Sequence, residues 1–262
     1  MQKVSFFVLI LMLFVSCRSK DGDLNVFSTD EDVKLGEQYS NFLATNTEEF
    51  PVLSRRDYPL AYKKLEQITS AILASPTLLH KDEFPWEVYI IDIDTVLNAF
   101  CTPGGYIYVY TGLIKFLESE DQLAGVLGHE IAHADLRHST EQMTKNYGVR
   151  ILIRVFTGDD SVLGDVAGNL VSLGFSRKDE TEADMQSVQY LMDTKYDPRG
   201  VARFFEKMED RGESLGPLVF LSTHPNPENR VEKIYEKWKE LGSKKGERNK
   251  EEYEDLKNAL PQ

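Results

Sequence analysis

The chain has 262 residues, with 30 Lys and Arg against 43 Asp and Glu, and a formal net charge of −13. This acidic balance argues against nucleic acid as a partner, because phosphate binding requires a basic surface. The length suits one domain with short appendages, large enough to bury a substantial core. No internal repeat and no long Pro/Gly/Ser-rich stretch divides the sequence.

Residues 1–16 have the pattern of a secretory signal peptide. Lys3 precedes an apolar run, Val4 to Val15, that is too short to span a bilayer comfortably. The ending Phe14-Val15-Ser16-Cys17 is similar to a bacterial lipobox, with Phe14 where leucine is usual. We therefore expect export, and a lipid on Cys17 that anchors the protein to an envelope membrane, facing the periplasm. The alternative is plain secretion, with a cysteine near an ordinary cleavage site by chance.

The remaining sequence divides into three segments. Residues 17–27 are mostly polar and predict a lipidated tether, residues 28–241 predict one domain, and residues 242–262 predict a charged C-terminal tail. Helical spacing of apolar residues indicates that the domain opens with two helices, which begin near Ser28 and near Asp57.

Three short runs predict a small antiparallel sheet, because they are rich in aromatic and β-branched residues and are separated by turn signals. They are Trp86 to Ile91, Ala99 to Cys101, and Tyr106 to Tyr110. The last run could add an extended peptide to the sheet through Tyr106, Ile107 and Tyr108, or could be a core strand. Periodicity does not separate these two alternatives.

The sequence His129-Glu130-Ile131-Ala132-His133 lies within an apolar helical pattern that predicts a helix packed in the core. Residues four apart share one face of a helix, so the two imidazoles of His129 and His133 point to the same place, with Glu130 beside them. Such a helix can bind zinc. Two hydrogen-bonded core histidines would produce the same pattern. The presence of a third ligand therefore decides between a zinc site and a structural pair of histidines.

Two familiar spacings for that ligand fail. A third histidine six residues after His133 would fall on Ser139, and His138 is one position short. The second spacing, as in thermolysin-type enzymes, places a glutamate ligand about twenty residues after the second histidine. It fails because no glutamate occurs between Gln142 and Asp179. Glu180 and Asp184 lie four apart on the next predicted helix, which Ser176 can cap.

We assign Glu180 as the third ligand and place Asp184 behind it, accepting a hydrogen bond from the outer nitrogen of a ligand histidine. Glu182 points about 100° or more away from both on a helix and is a less favoured ligand, with a solvated helix face as the alternative for this residue.

With these motifs in place, the chain resembles zinc metallopeptidase family 48, which includes the CAAX prenyl proteases, the HtpX heat-shock protease and the BepA-type envelope proteases. The resemblance runs from about Phe27 to Leu241 and is carried by Asn98-Ala99-Phe100 with Pro103-Gly104-Gly105, HEIAH from His129, SRKDETEAD from Ser176, and Thr223-His224-Pro225 with Arg230. It implies an α+β fold: a mostly helical zincin domain of the gluzincin type, with a small sheet beside the HExxH helix.

The resemblance also implies the roles of individual residues. One zinc ion per chain would be held by His129, His133 and Glu180, with Glu130 as general base. His224 and Arg230 would lean over the metal and stabilise the developing oxyanion. In some relatives the histidine equivalent to His224 covers the zinc and keeps the enzyme inactive, and whether it does so here is open.

We therefore expect a zinc-dependent endopeptidase of the bacterial cell envelope that acts on protein or peptide substrates, in quality control of envelope proteins. The alternative is a non-catalytic or latent envelope lipoprotein that uses the same fold as a chaperone or binding module. A purely structural zinc protein is disfavoured, because three ligands and a base leave one position open, whereas structural sites are closed.

Overall fold

A computed structural model describes residues 25–156, 174–211 and 219–261. The predicted signal peptide and the lipid site at Cys17 lie outside these residues. In the parts of the chain that the structure describes, no helix has the length and apolar character needed to cross a membrane.

The described chain is mostly helical, with one small sheet, which confirms the predicted fold class. In chain order its elements are α1 (Thr29–Thr45), α2 (Pro59–Leu73), β1 (Glu87–Ile91), β2 (Ala99–Thr102), β3 (Tyr106–Tyr110), α3 (Thr111–Phe116), α4 (Glu120–Asp135), α5 (His138–Phe156), α6 (Arg177–Leu191), α7 (Gly200–Arg211), α8 (Val219–Thr223), α9 (Arg230–Glu240) and α10 (Lys250–Asn258).

The three strands form a mixed sheet, so the prediction of an antiparallel sheet is wrong. The strand order is β1-β3-β2, with β2 antiparallel and β1 parallel to β3. A tight turn at Pro103–Gly105 joins β2 to β3, where Gly104 and Gly105 have φ values of 74° and 86°. Strand β3 therefore lies between the other two. Local patterns identify strands, but pairing depends on contacts that are distant in sequence.

Helix α4 is the centre of the fold, and all of its residues are buried. Two glycines let neighbouring helices approach its backbone closely. A side chain at Gly125 would collide with the backbone at Gly200 and Val201, where α7 begins, and one at Gly128 would meet Ser187 of α6. The Ser187 hydroxyl donates a hydrogen bond to the Gly125 carbonyl at 2.8 Å. Helices α6 and α7 are thereby fixed directly against α4.

The C-terminal segment, predicted as a charged tail, instead packs on the domain. Tyr253 and Leu256 lie three residues apart on one side of α10, and both are buried in the main core together with Leu260, which follows the helix. The Tyr253 hydroxyl donates to the Ile114 carbonyl at 2.8 Å. The charges of this segment occupy the opposite, solvated side, which is why composition alone suggested a tail.

The end of the predicted tether also packs on the domain. Phe27 is fully buried, and its carbonyl accepts a hydrogen bond from Arg137 Nη2 at 2.6 Å. Packed structure therefore begins before residue 28 and continues past residue 241.

Substitution of Tyr253 by Ala should lower the free energy of unfolding by about 3–5 kcal/mol, because it leaves a large cavity in the core. Glu251→Ala, at an exposed position of the same helix, should change it by less than about 0.5 kcal/mol. Urea unfolding of both variants measures the difference. Equal stability of the two variants would show that α10 does not contribute to the core in solution.

Candidate metal centre

Four potential metal donors converge beside the middle of α4: His129, His133, Glu180 and His224. One ligand atom from each residue lies within 4.8 Å of all the others, and all four side chains are buried. Helix α4 contributes two imidazoles one turn apart, α6 contributes Glu180, and His224 follows the end of α8. The structure therefore brings together the three predicted ligands and adds a fourth donor.

The two α4 histidines direct their Nε2 atoms toward the same point. His129 Nε2 lies 3.0 Å from His133 Nε2 and 3.5 Å from Glu180 Oε2. On the opposite side of its ring, His129 Nδ1 is 2.9 Å from Asp184 Oδ1, a distance at which the carboxylate favours a proton on Nδ1. When the ring is neutral, the lone pair of Nε2 therefore faces the centre. Asp184 lies where the helical spacing placed it.

Burial and charge act in opposite directions on His129. Burial disfavours the imidazolium, but hydrogen bonding to Asp184 and Glu180 outweighs it and raises the pKa of His129 to about 9. Burial lowers the pKa of His133, the other α4 imidazole. His129 thus binds a proton more strongly than a free imidazole does, and His133 binds one less strongly.

Glu180 is the carboxylate at the centre. Its Oε1 lies 3.0 Å from His224 Nδ1 and 3.4 Å from His133 Nε2. Burial would raise the pKa of Glu180, but attraction to His224 and hydrogen bonds from His129 and His133 lower it overall. Glu180 therefore remains ionised.

Arg230 binds the carboxylates of the cluster. Its Nε and Nη2 donate to the two oxygens of Asp184 at 2.7 and 2.8 Å, and Nη2 also donates to Glu180 Oε2 at 2.9 Å. Its guanidinium carbon lies 3.7 Å from the centroid of the Phe205 ring. Nη1 is buried and has no hydrogen-bond partner among the described residues. Arg230 thus orients the carboxylates, with one nitrogen left over.

Glu130 lies beside the cluster and outside the donor set. Its Oε1 is 3.6 Å from His224 Nε2 and has no hydrogen-bond partner among the described residues. Burial raises the pKa of Glu130, against the opposing attraction of His224. A raised pKa makes this carboxylate a stronger proton acceptor when it is ionised.

The cluster fits a divalent cation on charge and donor chemistry. Glu130, Glu180 and Asp184 supply three carboxylates, and Arg230 supplies one guanidinium, all buried. Counted with neutral imidazoles, three carboxylates and one guanidinium give these described groups a net charge of about −2, and net charge buried in this way needs compensation. Imidazole nitrogens together with a carboxylate oxygen are typical ligands of Zn²⁺. The raised pKa of His129 reflects the same attraction for positive charge.

The predicted substrate-binding residues lie away from any free strand edge, so peptide addition to β3 is contradicted. Strand β3 pairs with β1 on one side and β2 on the other, which uses its backbone groups on both edges. Tyr106, Ile107 and Tyr108 are all buried, and the Tyr108 ring stacks between Tyr89 and Phe100 at 5.1 and 4.9 Å. The alternative reading, a core strand, is correct.

Strand β2 is the edge next to α4. Among the described residues it pairs with β3 alone, and it packs against the helix that carries the histidines. A short edge strand beside the metal-binding helix is the part of the sheet that an extended peptide could join.

Two rings that contact His133 at the centre were not predicted from the sequence, those of His138 and Phe175. His138 is buried, and its Nδ1 lies 2.9 Å from Nδ1 of His133. The sequence places it outside helix α4, and Arg137, just before it, has a left-handed φ of 62°. Helical spacing cannot follow the chain through such a turn, so no pattern indicated this contact. Phe175 stacks on His133 at 3.8 Å between ring centroids, and it too was not predicted.

Comparison with known proteins supports this chemistry. The family model described as Peptidase family M48 matches residues 59–237. Mitochondrial metalloendopeptidase OMA1 of Schizosaccharomyces pombe is 34% identical over 161 residues, which are 60% of this chain and 47% of the relative. The OMA1 of Arabidopsis thaliana is 39% identical over 155 residues, 58% of this chain and 31% of the relative.

A bacterial relative is the Beta-barrel assembly-enhancing protease of Escherichia coli (strain K12). It is 30% identical over 162 residues, which are 56% of this chain and 33% of the relative. The matched part thus spans between about a third and a half of the length of these curated relatives.

Proposed function

The chain belongs to peptidase family M48, as its motifs predict, and on that premise we propose that it is a zinc-dependent endopeptidase. The observation that carries the proposal is the convergence of His129, His133 and Glu180, with the carboxylate of Glu130 beside them. M48 enzymes are zinc metallopeptidases, and the donor cluster fits this metal. The substrates of the enzyme in this proposal are proteins or peptides, namely unfolded or unassembled polypeptides.

In the proposed reaction, His129, His133 and Glu180 hold the metal. When bound, zinc lowers the pKa of water toward about 7 and polarises the scissile carbonyl. Glu130 accepts the proton of the attacking water and returns it to the leaving amine. The burial that raises its pKa suits it to both transfers.

The remaining residues of the cluster have supporting roles in this proposal. Arg230 holds Glu180 and Asp184 in position through its Nε and Nη2, and its unpartnered Nη1 is available to a developing oxyanion. His224, whose ring also lies within reach of Glu130, is the second candidate for oxyanion stabilisation. The edge of β2 replaces β3 as the strand that pairs with an extended substrate.

Glu130→Gln should leave zinc binding intact and reduce cleavage of unfolded casein by at least about 100-fold, because the amide cannot accept the proton. Glu209→Gln, an exposed change of the same kind on α7, should retain full activity. Metal analysis and proteolysis assays measure both quantities. Retained cleavage by zinc-loaded Glu130→Gln would refute the proposed mechanism.

A latent form of the enzyme is the second candidate, and the geometry of His224 favours it. His224 Nδ1 lies 3.4 Å from His129 Nε2 and 3.0 Å from Glu180 Oε1, within the donor cluster. A fourth protein donor closes a site that catalysis needs open. The His224 ring also stacks on Phe220 at 4.3 Å between centroids, which holds it in this place.

His224→Ala should therefore raise the turnover of unfolded casein by the zinc-loaded protein, since it removes the fourth donor. Asn226→Ala, an exposed change two residues away, should leave turnover unchanged. A fall in turnover would instead assign His224 to oxyanion stabilisation. Unchanged turnover would contradict both roles.

The location that we propose is a bacterial envelope membrane, with the domain facing the periplasm and engaged in quality control of envelope proteins. It rests on the apolar run before Cys17 and on the E. coli relative, whose name refers to β-barrel assembly. The relatives from S. pombe and A. thaliana described above are named as mitochondrial.

Metabolic labelling with palmitate tests the anchor. The wild-type protein and Cys101→Ser should incorporate label, because Cys101 is a buried, free thiol of the domain. Cys17→Ser should incorporate none and should be released from the membrane fraction. Equal labelling of Cys17→Ser and the wild type would rule out a lipid on Cys17.

A further inference from the structure

We propose that His138 is a positioning residue for the metal ligand His133, acting as the acceptor of a hydrogen bond from the outer nitrogen of that ligand. The inference rests on the proposed zinc site. The two Nδ1 atoms lie 2.9 Å apart, and both rings are buried. At this distance a single hydrogen is shared, so one nitrogen donates and the other accepts.

Ligation fixes which nitrogen donates. His133 directs Nε2 toward His129 Nε2 and Glu180, so a metal bound there takes the Nε2 lone pair and leaves the hydrogen on Nδ1. His138 Nδ1 must then be the acceptor, and the hydrogen of His138 sits on its Nε2. That nitrogen lies 3.4 Å from Glu182 Oε2. The carboxylate stabilises this tautomer of His138.

The two α4 ligands are thus supported in different ways by the same helix. Asp184 of α6 contacts the outer nitrogen of His129 directly. Glu182, two residues earlier on α6, reaches the outer nitrogen of His133 only through the ring of His138. The sequence pattern disfavoured Glu182 as a ligand and did not indicate this contact, because the contact depends on a ring that α5 supplies.

The turn between α4 and α5 places the ring. Arg137 has the left-handed φ of 62°, which is uncommon for a residue other than glycine. Its side chain is held by Asp32 Oδ2 at 2.5 Å and by the Phe27 carbonyl at 2.6 Å. Residues near the start of the domain therefore fix the turn that returns His138 to His133.

Packing alone already restrains the plane of His133. Phe175 stacks on it at 3.8 Å with 18° between the ring planes. Stacking permits the ring to flip by 180°, which would put Cδ2 in the place of Nδ1 and Cε1 in the place of Nε2, whereas a hydrogen bond at Nδ1 does not permit this flip. The specific contribution of His138 is therefore the orientation of the donor atom.

The test compares two variants of His138. His138→Leu removes the acceptor and should weaken zinc binding by about 10–100-fold, as loss of such a partner typically does. His138→Gln supplies an amide oxygen that can accept the same hydrogen bond and should recover much of the lost affinity. Affinity is measured by competition with a chromophoric chelator, and the stability of each zinc-free protein by urea unfolding.

His80→Leu is the matched control, because His80 also contacts α4, at the Asp135 carbonyl, and does not contact a ligand. It should leave zinc affinity unchanged. Equal affinity of His138→Leu and the wild type would overturn the inference, as would equal loss in both His138 variants with equally reduced stability of the zinc-free proteins. A wild-type protein that binds no zinc would overturn the proposed function as well, so the two failures are distinguishable.

Discussion

The close packing of α6 on α4 is the constraint on which the centre depends. Gly128 leaves room for Ser187, and the Ser187 hydroxyl bonds to the backbone of α4. At this separation a glutamate on α6 reaches the two imidazoles of α4 without a loop between them. Rigid helices therefore set the relative positions of the donors, which suits a site that must hold one geometry.

This proximity concentrates negative charge in a buried place, and the surrounding residues balance it. Arg230 bridges Glu180 and Asp184. The cluster still favours positive charge, as the pKa of about 9 at His129 shows. A divalent cation bound at the cluster would neutralise this negative charge and would also fix the orientation of the imidazoles. Metal affinity and the orientation of the ligands are thus linked through the same contacts.

The sequence predicted those parts of the site that depend on the spacing within one helix. The pairs His129 with His133 and Glu180 with Asp184 follow from a helical turn, and the Ser176 cap that starts α6 is also present. The mixed sheet was not predictable, because a strand pattern does not reveal its neighbours. His138 was not predictable either, because the left-handed turn at Arg137 breaks the spacing. The packing of α10 on the core was not predicted, because the many charged residues of this segment suggested a solvated tail.

The most direct test of this account is the zinc content of purified protein after extensive dialysis. We expect close to one zinc per chain in the wild type and in Glu209→Gln. Glu180→Gln should bind well below one zinc, because the substitution removes the only carboxylate among the four described donors. Full zinc occupancy in Glu180→Gln, or none in the wild type, would contradict the claim that α4 and α6 together form the metal centre.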